Sequence, residues 1–252
     1  MVVTPAHAES YREHGYFVLD RVLDAPTLAL LRAEADRAIE EEAGALRRAD
    51  PRFVPVSSLD DRYVVSGRAT KVAGLRRLLL GKLMADICRA SLGPNAFLFS
   101  ETFVVKMPRN RTGWIWHQDS SYLASVGLGH YPPNLSVWIA IDRATPDNGM
   151  LRLLPWSVTG IRRVVPHDLS KPWDSDEVVT FGSHPETPVP VEAGSIVVTS
   201  GLIPHASSPN ATDETRRAYL VQYSSERIEK EGRPYQLAIP LLVGGVHQPG
   251  TV

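Results

Sequence analysis

Apolar positions along the chain fall into two regimes. Over the first third they recur at helical spacing: Leu28, Leu31, Ala35 and Ile39 share one face, while Glu34, Asp36, Arg37 and Glu40 to Glu42 fall mostly off it. Asp24 supplies an N-cap before this helix and Gly44 a stop, and the acidic run reads as a solvated face. A second helical stretch from Gly74 to Ser91 carries Leu75, Leu78, Leu79, Leu83 and Ile87 and ends at Gly93-Pro94. Two helices with one apolar face each are expected to brace one side of a sheet.

From Phe97 onward the pattern changes to short apolar or alternating runs separated by Gly, Pro and Asn, the mark of strands joined by turns. These runs predict strands over Phe97 to Lys106, Ile115 to Asp119, Ser136 to Ile141, Met150 to Leu154, Ser195 to Thr199 and Arg217 to Tyr223. Many short strands after a helical preface indicate a mainly β fold with flanking α-helices, a sandwich or barrel with the helices packed outside it. The stretch from Pro166 to Pro190 has no period and reads as a long loop, of the kind that serves as a lid or binding loop. A chain of 252 residues without repeats or low-complexity linkers fits one domain over 1–252, with a helical part to about 95, a β core over about 96–225 and an extension from 226.

Charge narrows the partners. With 27 Lys+Arg against 28 Asp+Glu the net charge is −1, so no global field favours nucleic acid or an anionic membrane. No apolar run reaches the length of a membrane span, and residues 1–12 lack the basic and apolar regions of a secretory signal, so a cytoplasmic protein is expected. The single cysteine, Cys88, sits in the second helical pattern and reads as a buried thiol. Asn210-Ala211-Thr212 matches a glycosylation sequon, but Pro209-Asn210 is the stronger turn signal. Oligomeric state is not written in these features.

The chemistry-bearing pattern is His117-Gln118-Asp119, the one H-x-D of the chain, at the end of Trp114-Ile115-Trp116. In a strand, residues i and i+2 project to one face about 7 Å apart, close enough for an imidazole and a carboxylate to converge on one ion. His205, after the turn signals Gly201 and Pro204, supplies a third donor. Two histidines and one carboxylate on one face of an octahedral ion leave three positions open, the arrangement of oxygen-activating non-haem iron(II). Two near-matches with Glu, His7-Ala8-Glu9 and His184-Pro185-Glu186, read as surface residues. Arg216 follows His205 by eleven residues, across Ser207-Ser208-Pro209-Asn210, and a hairpin of that length would return it beside the His205 strand. An inward guanidinium there can grip the remote carboxylate of a diacid, with Arg217 facing the other way.

Taken in order, Trp116-His117-Gln118-Asp119, Val137-Trp138-Ile139-Ala140-Ile141-Asp142, Asp147-Asn148-Gly149-Met150-Leu151-Arg152-Leu153-Leu154-Pro155 and His205-Ala206-Ser207 with Asn210 and Arg216 resemble the phytanoyl-CoA dioxygenase-like family. Tyr11 to Val18 is similar to the family's usual entry. The resemblance implies a double-stranded β-helix (a jelly-roll, cupin-like) with Fe(II) at one open end, 2-oxoglutarate as co-substrate and O2 as oxidant. It implies His117, Asp119 and His205 as ligands, and Arg216 on the 2-oxoglutarate C5 carboxylate with Ser207 assisting. Lys71 resembles a lysine that some members direct at the co-substrate, and Gln118 and Trp138 resemble neighbours of its pocket. Where many members continue Pro-Gly-Ser-His, this chain has Pro155-Trp156-Ser157-Val158, which leaves Trp156 to pack as core or to narrow the pocket. Because Asp119 is present, halogenation is disfavoured.

The reaction so implied oxidises a C–H bond of a small molecule: hydroxylation first, with epimerisation, desaturation or cyclisation starting alike. Candidate pocket residues are Trp114, Trp116, Tyr122, His130, Tyr131 and Trp156, with Phe103 in addition. Such an aromatic rim suits a moderately apolar or ring-containing metabolite of specialised biosynthesis. Two other classes stand beside this reading: a cupin-like metalloenzyme without 2-oxoglutarate, and a non-catalytic binding jelly-roll. Arg216 with Ser207 argues against the first, and a complete ligand triad against the second.

Overall fold

The computed structural model describes residues 2–49, 56–125, 132–168 and 179–249. Its elements are α1 (Pro5–His14), β1 (Tyr16–Leu19), α2 (Ala25–Arg48), β2 (Arg62–Ser66), α3 (Ala73–Leu79), α4 (Lys82–Ser91), β3 (Ala96–Lys106), β4 (Trp114–His117), α5 (Asp119–Ser125), β5 (Asn134–Ala140), β6 (Leu151–Leu153), α6 (Trp156–Thr159), β7 (Thr187–Val189), β8 (Ile196–Ser200), β9 (His205–Ser207), β10 (Arg216–Ser224), β11 (Glu229–Lys230), β12 (Arg233–Pro234), β13 (Ile239–Val243) and β14 (Val246–His247). A major antiparallel sheet runs β1-β8-β5-β10-β3-β13-β14, with β2 also on β3, and faces a minor sheet β4-β9-β6-β7. This is a jelly-roll, and the helical first third covers the outside of its major sheet.

The predicted α2 forms, and Asp24 caps it by accepting from the Thr27 N–H at 2.9 Å. It passes Gly44 and ends at Arg48, because a solvent-side glycine costs only about 1 kcal/mol within a helix. Glu34 departs from the expected solvated face: it is buried and paired with buried Arg68 at 3.0 Å. The second helical stretch is two helices, divided at Leu80-Gly81. Leu31, Leu75, Leu79, Met84 and Ile87 pack against Phe103, Ile139, Val198, Tyr219 and Tyr223 of the major sheet in one core, which also holds Cys88. A second core, with Trp138, Leu153, Val189, Val197 and Ala218, fills the space between the sheets.

Register fixes what faces that space. Arg216 stands opposite Lys106 and Ala218 opposite Val104 on β3, while Leu220 pairs with Trp138 and Gln222 with Ser136 on β5. These residues form the concave face, and Phe103, Tyr219 and Arg217 belong to the helix-covered face. The chain between His205 and Arg216 is not a hairpin. β9 pairs with β4 and β6, whereas β10 pairs with β3 and β5, so the segment crosses from the minor to the major sheet. Asn210 holds this crossing and is fully buried: its side-chain N–H groups donate to Met107 O and Glu214 O, and its Oδ1 accepts from Thr212. The sequon is therefore a turn. The expected loop over Pro166 to Pro190 contains β7, which closes the minor sheet, and residues 169–178 lie outside the described residues. The near-match His7 lies in α1, stacked on Phe17. Among the described residues no helix is long and apolar enough to cross a membrane.

Candidate metal and co-substrate site

His117 ends β4, His205 begins β9, and the two stand opposite each other in register. Asp119 is not on the strand, as its spacing suggested, but on the first residue of α5. The chain turns after His117, and the carboxylate arrives beside the imidazoles from the helix start. One donor atom from each of the three lies within 4.8 Å of the others, the one such set among the described residues. His117 Nδ1 lies 2.7 Å from Ile115 O and His205 Nδ1 3.0 Å from Ile203 O, so both rings carry their proton on Nδ1 and aim Nε2 at the centre. Asp119 Oδ1 lies 3.6 Å from one Nε2 and 3.7 Å from the other.

The electrostatics suit a cation. Burial alone would raise the Asp119 carboxyl, but His205, His117 and the Ser136 hydroxyl outweigh it and hold the group well below the usual carboxylate range. Burial, then the neighbouring His117, pushes His205 down to about 4, so its ring is neutral at physiological pH. An anionic carboxylate and neutral imidazoles are the protonation states that bind a divalent metal.

Arg216 is 2 % exposed, and its guanidinium lies over the Trp138 ring, 5.5 Å from the centroid. It has no ion pair among the described residues, and its Nε is buried without a hydrogen-bond partner. Burial pushes it down to about 10, which leaves the cation intact at neutral pH. A buried, charged and unpaired guanidinium is costly unless an anion from outside completes it, and this orphan fits the far carboxylate of a diacid held at the triad. Ser207 is buried on β9 with its hydroxyl 2.7 Å from the amine of Lys106, the residue opposite Arg216. Arg217 turns the other way and grips Asp142 through Nε at 2.8 Å.

Other expected residues lie elsewhere. Lys71 is exposed in the turn before α3, and the lysine beside Arg216 is Lys106. The Gln118 carboxamide is spent on the backbone: Nε2 donates to Arg163 O at 2.9 Å and Leu202 O at 2.7 Å, and Oε1 accepts from the Val165 N–H at 2.7 Å. Phe103 is fully buried on the helix-covered face, stacked on Tyr219, because the strand phase sends it away from the concave side. Trp156 packs edge-on against Tyr11 beneath Arg162, in the layer under α1. Trp116 lies under Arg152 and borders a surface cavity of about 660 Å³ shared with Leu154, Phe181 and His184. Trp114 lies under Arg62. Tyr122 does reach the site, its ring 5.9 Å from that of His117, and is half exposed. His130 and Tyr131 lie outside the described residues.

Three contributors escaped the sequence reading. Ser136 Oγ donates to Asp119 Oδ2 at 2.5 Å and accepts from Gln222 Nε2 at 3.2 Å. His167 Nε2 receives the Gln118 N–H at 3.4 Å, beside the triad. Lys106 Nζ lies 2.7 Å from Ser207 Oγ and within hydrogen-bond reach of the carbonyls of Ser207 and Ser208. Gly149 makes room for that arrangement: at φ +80°, a Cβ there would strike Ser208 O and Lys106 Nζ. The glycine of Asp147-Asn148-Gly149 could have signalled a close backbone approach, but not what approaches.

Comparisons with known proteins speak to family and fold. A family model described as phytanoyl-CoA dioxygenase (PhyH) matches residues 11–218. Phytanoyl-CoA dioxygenase domain-containing protein 1 of Mus musculus is 36% identical over 112 residues, 42% of this chain and 37% of that protein. Methylphosphonate hydroxylase of Gimesia maris is 29% identical over 153 residues, 61% of this chain and 55% of that protein. The matched regions thus span little more than half, or less, of these curated relatives. Among solved structures, the non-heme alpha ketoglutarate dependent carbocyclase SnoK from nogalamycin biosynthesis superposes with a TM-score of 0.69 at 22% identity, over 92% of this chain and 87% of that one, a likeness of fold.

Proposed function

Because the chain belongs to the phytanoyl-CoA dioxygenase (PhyH) family, we propose that it is an iron(II)- and 2-oxoglutarate-dependent oxygenase acting on a small metabolite. The observation that carries this reading is the unpaired, buried Arg216 on the concave face shared with the His117, Asp119 and His205 cluster. A metal-only cupin has no use for a buried cation without a counter-ion. In the proposed assignment the two Nε2 atoms and Asp119 Oδ1 hold the iron. Arg216, with Ser207 beside it, takes the distal carboxylate of 2-oxoglutarate, and the Trp138 ring forms the wall between.

Iron(II) with 2-oxoglutarate and O2 supplies the oxidation of a substrate C–H bond, the co-substrate leaving as succinate and CO2. The protein's part is placement and exclusion of water. Tyr122 stands on the open side of His117, and Ser100, Thr102 and Gln222 present polar groups on the partly open stretch of the concave face. This lining favours a substrate with hydrogen-bonding groups over the purely aromatic rim read from the sequence. Hydroxylation is the proposed outcome, in specialised metabolism, a proposal in keeping with the fold it shares with SnoK of nogalamycin biosynthesis.

The test is anaerobic addition of Fe(II) and then 2-oxoglutarate. A weak visible absorption band is expected in the wild type and not in Arg216→Ala at the same co-substrate concentration. An unchanged wild-type spectrum sinks the reading, and succinate release in the presence of candidate substrates then identifies the one oxidised.

A further inference from the structure

Lys106 carries a titratable amine that is 1 % exposed and that no carboxylate pairs with among the described residues. Register places it directly between two arginines: Arg216 opposite it on β10 and Arg62 opposite it on β2. Arg152 acts on it from β6. The acidic side chain that acts on it is Asp61, before β2, and that carboxylate already accepts from the Arg111 N–H at 2.7 Å and from the Thr112 hydroxyl. Lys106 and Arg216 are both buried and adjacent, and neither is bonded to a carboxylate among the described residues; two such cations persist side by side only if one gives up its proton or an anion joins them. Lysine yields before arginine. Burial first, then Arg216, Arg152 and Arg62, pushes Lys106 down to about 6, so in the empty site its amine is mostly neutral at pH 7.5.

The arrival of a carboxylate at Arg216 reverses that balance. We propose that Lys106 is the protonatable positioning residue of the co-substrate site: it takes one proton from solvent as the distal carboxylate of 2-oxoglutarate binds, and thereby turns the Ser207 hydroxyl onto that carboxylate. This rests on the function proposed above and adds to it. A neutral amine has two N–H donors and a lone pair, and can accept from the Ser207 hydroxyl. An ammonium has three donors, and three acceptors surround Nζ: Ser207 Oγ, Ser207 O and Ser208 O. Once all three are filled, the Ser207 hydrogen is free to point at the ligand. Charge balances as well, since the incoming negative charge meets one proton taken up beside a guanidinium that was already charged.

The experiment is calorimetric titration of 2-oxoglutarate into the Mn(II)-loaded protein at pH 7.5, in buffers of different ionisation enthalpy. Close to one proton taken up per ligand is expected. The affinity should fall about tenfold per pH unit between pH 7 and 8.5, the slope for a single linked proton. Lys106→Met should bind more weakly, with no proton uptake and no such pH slope, which loss of packing alone does not produce. Should that variant fail to fold, the wild-type proton count decides by itself. Binding without proton uptake overturns the proposal and leaves the oxygenase reading intact, whereas a wild type that binds no 2-oxoglutarate overturns both.

Discussion

The Ser136 hydroxyl sits 2.5 Å from Asp119 Oδ2, and this contact decides which carboxylate oxygen remains for a metal. Oδ2 is occupied, so Oδ1 alone faces the two imidazoles. Gln222 fixes Ser136 in turn from the neighbouring strand. Hydrogen bonds of this kind orient a ligand and typically alter metal affinity about 10- to 100-fold when removed. Ser136→Ala is expected to weaken Mn(II) or Fe(II) binding within that range while the unfolding midpoint of the apo protein changes little. Metal titration followed by calorimetry checks it, and unchanged affinity would refute the role of Ser136.

Gln118 lies between two residues of the triad, and its carboxamide is bonded to backbone. Its carboxamide ties the strand carrying His117 to the segment around Arg163 and Val165 and to Leu202, three residues before His205. Gln118→Ala strands two carbonyls and one N–H in a buried setting, a cost on the order of 2–3 kcal/mol. The expected result is a lower denaturant midpoint and faster amide exchange at Val165, with 2-oxoglutarate affinity nearly unchanged under native conditions. Loss of co-substrate binding without loss of stability would instead return Gln118 to the pocket.

What the sequence made legible is the chemistry that must be written in particular residue types. In the proposed assignment the tasks of His117, Asp119, His205 and Arg216 demand particular side-chain chemistry, and the order of those residues along the chain is readable whatever the turns between them do. The jelly-roll was legible from the change of period near Phe97. Lys106 and Ser136 were not, because their roles arise from register between strands more than 80 residues apart in the chain: Lys106 against Arg216, Ser136 against Gln222. Phe103 was misplaced for a related reason. β3 mixes polar and apolar residues on both faces, with Ser100, Thr102 and Val104 on one and Glu101, Phe103 and Val105 on the other, so its alternation does not say which face the helices cover; the pairing of Phe103 with Tyr219, inside the helix-covered core, does.

Glu34 and Arg68 lie 3.0 Å apart, each about 4 % exposed, beneath the helical layer. Arg68 also reaches Glu41, which is half exposed. Removing the buried partner leaves a desolvated guanidinium with only the outer carboxylate, a change that costs about 3–5 kcal/mol when a buried pair is broken from one side. Glu34→Ala should therefore lower stability by roughly the lower part of that range, since Glu41 compensates in part. The double variant Glu34→Leu with Arg68→Met should be milder than Glu34→Ala alone. Equilibrium urea unfolding of wild type and the two variants measures both, and a double variant less stable than Glu34→Ala would disprove the coupling.

Glu101 gives a pH-dependent prediction far from the triad. Its carboxylate is buried on the helix-covered face of β3, accepting from the Ala69 N–H at 2.9 Å and the Tyr219 hydroxyl at 2.7 Å. Burial raises it above its ordinary value of 4.5, and the hydrogen bonds only partly offset the shift. The folded state thus holds this proton to higher pH than the unfolded chain does. The resulting stabilisation is fully present below 4.5 and is lost as pH rises through the raised folded value. Above that window the folded protein carries a buried carboxylate at a cost. Glu101→Gln keeps an acceptor for the Ala69 N–H and offers an amide donor to the Tyr219 oxygen, but it cannot ionise. Its melting temperature relative to wild type should therefore rise between pH 4 and pH 8. A difference that is flat with pH, or that falls, would show that the carboxylate is better placed as an anion than its burial implies.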